Sequence, residues 1–236
     1  MRPTSAAAER RALTIAPLGD ARDGPTLDAV LELPAAGTAP RGCVVVCHPH
    51  PLYGGDRESS VVRAIADGAL AAGLAALRFD FRGVGASTGA YDEGLGERDD
   101  ARAARVAAAA QPEVDATRVA LAGYSFGGGV AASVLAEAIA AGEAGPPALA
   151  LVASSLPPPD EVHAALVGYA RPLLLAAGER DAYASADAIA TLAAERAPSG
   201  AVTETLVAPG ADHFWIGSEA LLTEHTCAFF AGALAG

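Results

Sequence analysis

From Cys43 to the end of the chain, apolar runs with the composition of buried strands alternate with segments of helical periodicity. The run Cys43 to Cys47 is continuously apolar with β-branched residues at its centre, which is typical of a strand covered on both faces. The run Leu74 to Phe81 has the same character apart from Arg78 and Asp80. The segment between the two runs ends near Gly73 and has one apolar helical face, formed by Val61, Val62, Ile65, Ala69 and Leu70. Strand, helix and strand in this order predict a βαβ unit.

The same alternation continues along the chain and predicts an α/β fold. We expect a mostly parallel central sheet of about eight strands, with right-handed crossovers and helices on both faces. The predicted strands are 11–18, 26–33, 43–47, 74–81, 117–122, 148–153, 172–177 and 202–207, and the further helices are 95–110, 127–140, 185–196 and 218–233. Ligands of such sheets bind beyond the carboxyl ends of the strands, so functional side chains are expected in the loops that follow them.

The two N-terminal strands have a different pattern, because apolar and mostly polar residues alternate along 26–33. Alternation predicts a half-exposed antiparallel edge of the sheet. Residues 1–10 are expected to form a loose tail and 11–236 a single domain, which a chain of 236 residues permits. The connection 154–171 begins with consecutive prolines and has room for a short helix at most, so no large cap domain is expected.

The pattern Gly-x-Ser-x-Gly places Ser125 between Gly123 and Gly127. In a nucleophile elbow this pattern ends a strand and begins a helix, and the glycines permit the sharp turn and the close packing around it. The same pattern surrounds Ser87 at 85–89, so the pattern alone does not identify the nucleophile. Ser125 has a strand directly before it and an apolar helical stripe after it, whereas Ser87 has no helix beginning beside it. We therefore expect Ser125 to be the nucleophile.

A serine nucleophile needs a base, and the base needs a carboxylate that orients it; in elbow-containing folds these follow in the order serine, acid, histidine. Asp181 lies in the loop after the predicted strand 172–177, with Glu179 close enough to compete for the role of the acid. His213 lies in a glycine-containing loop after the last predicted strand. The sequence therefore predicts a triad of Ser125, Asp181 and His213. A capping or solvated aspartate is the alternative for Asp181.

An oxyanion hole requires backbone N–H groups that point at the developing negative charge. Phe126, at the start of the helix after the nucleophile, supplies the first. The loop after strand 43–47 supplies the second; its prolines have no N–H, which leaves His50, Leu52 or Tyr53, and we select His50. His48 and His50 also form a His-x-His pair, but no third metal ligand has suitable spacing, so a zinc site is not expected.

The walls of a substrate pocket are expected from the loops that surround the elbow. Arg82, in the loop after strand 74–81, either binds a substrate carboxylate or, as we favour, holds the loop through Asp80 or neighbouring carbonyl groups. The predicted pocket residues are Leu52, Tyr53, Tyr91, Leu156 and Trp215.

Composition excludes several functions. The sixteen basic residues are all arginine, so chemistry that depends on a lysine, such as Schiff-base formation, a Ser-Lys dyad or a Walker phosphate loop, is excluded. A formal net charge of −12 argues against a nucleic-acid surface.

The three cysteines, at 43, 47 and 227, lack metal-ligand spacing and are expected to be buried free thiols. Without an apolar secretory core or a run of about 20 apolar residues, we expect a cytoplasmic protein that binds no membrane.

Several motifs in a fixed order give the chain a resemblance to the α/β-hydrolase superfamily, and more narrowly to its small, lidless bacterial serine hydrolases. These motifs are His-Pro-His-Pro at 48–51, Phe-Asp-x-Arg-Gly-x-Gly-x-Ser at 79–87 and Gly-Tyr-Ser-Phe-Gly-Gly at 123–128. The likeness spans about residue 26 to the C-terminus. It implies the nucleophile at Ser125, the acid at Asp181, the base at His213 and oxyanion donors at Phe126 and around His50. Dienelactone-hydrolase-like enzymes differ by a cysteine, and haloalkane-dehalogenase-like enzymes by an aspartate, at the nucleophile.

The combined features predict an esterase that transfers the acyl group of a small-molecule substrate to Ser125 and then to water, with no cofactor or metal. A thioesterase or a small peptidase using the same triad is one alternative. A catalytically silent scaffold that acts as a binding protein is another, disfavoured because no member of the triad is missing. A dinucleotide-binding protein is disfavoured because no Gly-x-Gly-x-x-Gly opens the first βαβ unit. The sequence predicts no oligomeric state.

Overall fold

The structure is a computed structural model that describes residues 9–18, 24–34 and 41–235. Eight strands form one sheet: β1 (Glu9–Ile15), β2 (Leu27–Leu33), β3 (Arg41–Cys47), β4 (Ala75–Phe79), β5 (Val114–Tyr124), β6 (Leu149–Val152), β7 (Leu173–Gly178) and β8 (Thr203–Ala208). Their order across the sheet is β1-β2-β4-β3-β5-β6-β7-β8. Strand β2 is antiparallel to β1 and β4, and the other neighbouring strands are parallel. The predicted mostly parallel sheet of about eight strands is confirmed.

Six helices connect or flank these strands: α1 (Ser60–Ala71), α2 (Gly96–Ala109), α3 (Phe126–Ala140), α4 (Asp160–Gly168), α5 (Ala186–Arg196) and α6 (Glu219–Ala233). Helices α1 and α6 contribute to the apolar core on one face of the sheet, and α2, α3, α4 and α5 to the core on the other face. The predicted arrangement with helices on both faces is therefore confirmed.

The sequence of β3 explains why the sheet is covered on both sides. Cys43, Val45 and Cys47 belong to the core under α2 to α5, while Val44 and Val46 belong to the core under α1 and α6. Successive side chains of a strand point to opposite faces, so a continuously apolar run stabilises two cores at once. Cys43 and Cys47 are buried free thiols, and burial raises the pKa of the Cys43 thiol to about 12. Cys227 is free but only partly buried.

The N-terminal strands form the predicted antiparallel edge. The half-exposed strand is the outermost, β1, whereas β2, whose alternation suggested exposure, lies between β1 and β4 and has no exposed residue. Strand β1 begins at Glu9, two residues before the predicted start of the strand at residue 11. Its start is set by pairing with the whole of β2: Glu9 lies opposite Leu33, and Arg10 lies opposite Glu32 and forms an ion pair of 2.8 Å with it. Residues 1–8 of the predicted tail lie outside the described residues.

The connection between β6 and β7 contains α4, a helix of nine residues, and no cap domain. The carboxyl ends of β3, β5, β7 and β8 lie at one edge of the sheet, which is bordered by α4 and by the loops that follow the strands. Among residues 9–18, 24–34 and 41–235, no helix is both long and apolar enough to cross a membrane.

Candidate active site

Ser125 lies at a sharp turn between β5 and α3. Its backbone has φ +55° and ψ −119°, a conformation that residues other than glycine rarely adopt. The turn is held by hydrogen bonds on both sides: the Ser125 N–H donates to the carbonyl oxygen of Val152, and the Ser125 carbonyl oxygen accepts from the N–H groups of Gly128 and Gly129. A strained residue that its surroundings hold in place is typical of a functional site.

Gly123 and Gly127 permit the close packing around this turn. A Cβ atom on Gly123 would lie 2.2 Å from the carbonyl oxygen of Gly127, and one on Gly127 would lie 2.4 Å from the carbonyl oxygens of Cys47 and His48. Backbone atoms cannot move aside as a flexible side chain can, so even alanine at either position would displace the turn. The first helical turn of α3 is thereby held against the carboxyl end of β3.

The structure brings together the side chains of Ser125, His213 and Asp181, which follow β5, β8 and β7. The Ser125 Oγ atom lies 3.0 Å from Nε2 of His213, and Nδ1 of His213 lies 3.1 Å from each carboxylate oxygen of Asp181. The Asp181 side chain is fully buried. Because a carboxylate only accepts hydrogen bonds, it selects the tautomer of His213 that is protonated at Nδ1 and leaves Nε2 free to accept the serine proton.

Glu179, the competing acid, has a different role. Its Oε2 atom accepts a hydrogen bond of 2.8 Å from the N–H of Gly210, and its side chain is exposed. Asp181 is held in place through Oδ1, which also accepts from the backbone N–H groups of Tyr183 and Ala184.

Ser87, the alternative nucleophile, is buried and already engaged. Its hydroxyl donates to the carbonyl oxygen of Asp80 at 2.7 Å and accepts from the N–H of Asp28 at 2.9 Å. The first bond lies within the loop after β4, and the second joins that loop to β2. The second Gly-x-Ser-x-Gly pattern is thus part of a structural loop.

The loop after β3 turns so that His50 and Phe126 are neighbours, with ring centroids 4.9 Å apart. The N–H of Leu52 donates to Nδ1 of His50, and the N–H of Tyr53 donates to the His50 carbonyl oxygen. The N–H groups of the two competing candidates, Leu52 and Tyr53, therefore already have acceptors. Within the described part of the chain, the N–H groups of His50 and Phe126 have no hydrogen-bond acceptor. These two N–H groups are therefore unpaired, and both residues line a cavity together with Ser125.

His48 is fully buried and does not face the same space as His50. Its Nε2 atom accepts from the N–H of Phe81 at 3.0 Å, and its Nδ1 atom lies 2.6 Å from the carbonyl oxygen of Pro49. Burial lowers the pKa of His48 to about 4. Among the described residues, no group of three histidine, cysteine or acidic side chains is arranged to hold a metal ion.

Two cavities border Ser125 and Phe126. The larger, about 610 Å³, is lined by His213 and by aromatic side chains that include Tyr53, Tyr183 and Phe214. The smaller, about 320 Å³, extends from Phe126 towards Leu156 and α4.

The predicted pocket residues have mixed outcomes. Tyr53 lines the larger cavity and Leu156 the smaller. Tyr91 lines neither, but its hydroxyl lies 3.3 Å from Nε2 of His50, so it contacts the loop that carries the free N–H. Leu52 is 67% exposed and also lines neither cavity.

Trp215 is a wrong prediction, since its side chain is fully buried in the core under α6. Its φ of +59° reverses the chain, so that Trp215 packs inward while its neighbour Phe214 lines the cavity. Sequence reasoning missed Phe214 and also Tyr124, whose hydroxyl donates to the carbonyl oxygen of His213. An aromatic residue directly before an elbow serine was the available signal for Tyr124.

Arg82 holds its loop as favoured, but the predicted partner was wrong. Its guanidinium binds Asp100 on α2 with bonds of 2.8 to 3.1 Å, and its own N–H donates to the same carboxylate. Asp80 instead pairs with Arg57 at 2.9 Å. Both arginines are therefore engaged in structural ion pairs.

Comparison with known proteins gives consistent relatives. The sequence model of the X-Pro dipeptidyl-peptidase (S15) family matches residues 23–219. An α/β serine hydrolase homologue from Coxiella burnetii superposes with a TM-score of 0.74 at 28% identity, covering 92% of this chain and 96% of that one. A serine hydrolase without lid from Xanthomonas campestris has a TM-score of 0.72 at 28% identity, with coverage of 97% and 96%. An uncharacterised protein of Rickettsia prowazekii is 29% identical over 188 residues, 77% of this chain and 75% of its own.

Proposed function

The chain belongs to the X-Pro dipeptidyl-peptidase (S15) family of α/β hydrolases, and from this membership and the geometry at Ser125 we propose that it hydrolyses carboxylic esters through an acyl-enzyme. The observation that carries the proposal is the chain of contacts from Ser125 Oγ to His213 Nε2 and from His213 Nδ1 to Asp181. A hydroxyl within 2.6–3.2 Å of a base is in reach for proton transfer, roughly the range that general-base catalysis requires.

In the first step, Ser125 Oγ attacks the ester carbonyl carbon while His213 Nε2 takes the hydroxyl proton. The carbonyl oxygen becomes an oxyanion, which accepts hydrogen bonds from the N–H groups of Phe126 and His50. His213 then returns the proton to the leaving alcohol as the carbon–oxygen bond breaks. Water repeats the sequence on the acyl-enzyme and releases the acid. Asp181 orients His213 and stabilises its cationic form throughout.

The experiment that tests this mechanism is labelling with a fluorophosphonate, followed by peptide mass spectrometry. We expect a single adduct at Ser125 and hydrolysis of p-nitrophenyl acetate by the wild type. Ser125→Ala removes both. Ser87→Ala is the matched control, since Ser87 has the same sequence pattern, and it should retain the adduct at Ser125. An adduct at Ser87, or an unlabelled and inactive wild type, refutes the proposal.

A peptidase is the second candidate, because the family is named after X-Pro dipeptidyl-peptidase. A dipeptidyl-peptidase has to recognise the free ammonium group of its substrate, and a buried carboxylate would be the strongest partner for that charge. Among the residues that line the two cavities, the one carboxylate is Glu93, which is exposed. An ammonium group would therefore gain little there, since exposed ion pairs contribute ~0–1 kcal/mol. Cleavage of glycyl-prolyl p-nitroanilide faster than of any p-nitrophenyl ester or acyl thioester would favour the peptidase.

A further inference from the structure

The two cavities at Ser125 differ in their relation to His213. Both are lined by Ser125, Phe126 and Ser155, so both open onto the position of the reacting carbonyl carbon. His213 lines only the larger cavity. The two cavities can therefore hold two different substituents of the carbonyl carbon that Ser125 attacks.

This difference assigns one part of the substrate to each cavity. The proton that His213 holds must reach the leaving alcohol, so the leaving group has to lie on the side of His213 Nε2. The acyl group points away from the leaving group and therefore away from His213. The cavity without His213 is the one on that side.

We propose that the smaller cavity binds the acyl part of the substrate and selects apolar, uncharged acyl groups of up to about ten carbons. This proposal rests on the function proposed above and adds the substrate class to it. The limit follows from the volume, since a cavity of about 320 Å³ holds roughly ten groups of the size of a water molecule, about 30 Å³ each.

The lining supports an apolar occupant. Side chains from α3, β6, the following loop and α4 form its apolar wall: Val130, Leu151, Leu156, Val162 and Leu166. Charge among the lining residues is confined to Arg98 and Glu93. Arg98 is already paired with Glu137 at 2.9 Å, and Glu93 is exposed. A charged acyl group would lose its hydration without gaining a buried partner, whereas methylene groups would gain from burial.

The test compares p-nitrophenyl esters from acetate to decanoate, with the leaving group held constant. For the wild type we expect kcat/KM to rise by about fourfold for each added methylene that enters the cavity, which corresponds to the burial of one CH₂. Val162→Trp fills the cavity and should lower the ratio of octanoate to acetate kcat/KM at least tenfold. Val106→Trp, on the exposed face of α2, is the matched control and should leave the ratio unchanged.

A second variant and a second series keep the test decisive. Leu156→Ala enlarges the same cavity and should shift the best substrate to longer acyl chains, whether or not Val162→Trp folds. A series of acetate esters with different alcohols should respond equally in wild type and Val162→Trp. A wild-type profile that is flat with acyl length, or a Val162→Trp effect on the alcohol series instead, overturns the assignment. Failure of the wild type to hydrolyse even the acetate would instead refute the proposed function.

Discussion

Replacing Asp181 with asparagine tests the acid of the proposed triad without removing its packing. Oδ1 of Asp181 accepts from the backbone N–H groups of Tyr183 and Ala184, so the asparagine carbonyl oxygen is expected to occupy that position. The asparagine NH₂ group then takes the place of Oδ2, which lies 3.1 Å from Nδ1 of His213. Two N–H donors would face each other there. Oδ1 is also 3.1 Å from Nδ1, but the two lone pairs of the amide oxygen are taken by the N–H groups of Tyr183 and Ala184. His213 avoids the contact between the two donors by moving its proton from Nδ1 to Nε2.

The change of tautomer sets the size of the effect. With a proton on Nε2, His213 has no lone pair directed at Ser125 Oγ and cannot act as its base. The negative charge that stabilises cationic His213 is lost as well. We expect kcat to fall about 10⁴-fold, or about 5 kcal/mol of transition-state stabilisation, since a carboxylate-to-amide change at this position of a serine triad has an effect of that order.

The assay is steady-state hydrolysis of p-nitrophenyl butyrate, with thermal unfolding measured in parallel. Glu179→Gln is the matched control, because it makes the same chemical change at the competing acid, which binds the N–H of Gly210 and not His213. It should retain kcat/KM within a few-fold of wild type. An Asp181→Asn enzyme within tenfold of wild type, or a Glu179→Gln enzyme that loses activity while remaining folded, would show that the acid is assigned incorrectly.

Two further substitutions test the packing that supports the site. In Gly178→Ala the new Cβ atom would lie 2.4 Å from the carbonyl oxygen of Ala211 in the His213 loop. Separating the two loops should lower kcat/KM about 100-fold and the free energy of unfolding by about 1–3 kcal/mol. Gly232→Ala, on the exposed face of α6, is the control and should be neutral or stabilising. His48→Gln tests the pH dependence of stability. Burial lowers the pKa of His48 from 6.5 to about 4, so the folded protein favours the neutral imidazole. The contribution of His48 to the free energy of unfolding is therefore complete above pH 6.5 and is lost as the pH falls through 4. Urea unfolding across this range should show about 3 kcal/mol less pH dependence in the variant than in wild type, and equal slopes would contradict the assignment.

Topology explains why the triad could be predicted from the sequence. A continuously apolar, β-branched run such as that of β3 can be recognised in the sequence as a buried strand. Because helices alternate with such strands along the chain, the strands are expected to be parallel. The carboxyl ends of parallel strands meet at one edge of the sheet, so the residues that follow them become neighbours wherever the intervening helices lie. Ser125, Asp181 and His213 each follow such a strand within a few residues, and their juxtaposition was accordingly predicted.

The partners of the loop side chains depend on how a helix docks and could not be predicted in this way. Arg82 pairs with Asp100 because α2 places that carboxylate above the loop, whereas Asp80 is nearer in sequence but is bound to Arg57. Phe214 and Trp215 are adjacent aromatic residues in a segment without periodicity. The positive φ of Trp215 decides which of them is buried, and no residue pattern in that loop predicts a positive φ at a tryptophan.

The residues proposed for the chemistry follow strand ends and could be predicted, whereas those proposed for specificity depend on how helices dock and could not. The reacting atoms lie at strand ends, whereas the smaller cavity is a gap between α3 and α4. Val162 and Leu166 recur at the i, i+4 spacing of one helix face, which the sequence does display, but that spacing equally describes a face that packs without a gap. Leu166 in fact does both: it is fully buried in the core and lines the cavity. Under the proposed assignment, acyl specificity depends on the distance between α3 and α4, a helix of nine residues, so substitutions on α4 should alter acyl preference while leaving the contact between Ser125 and His213 intact.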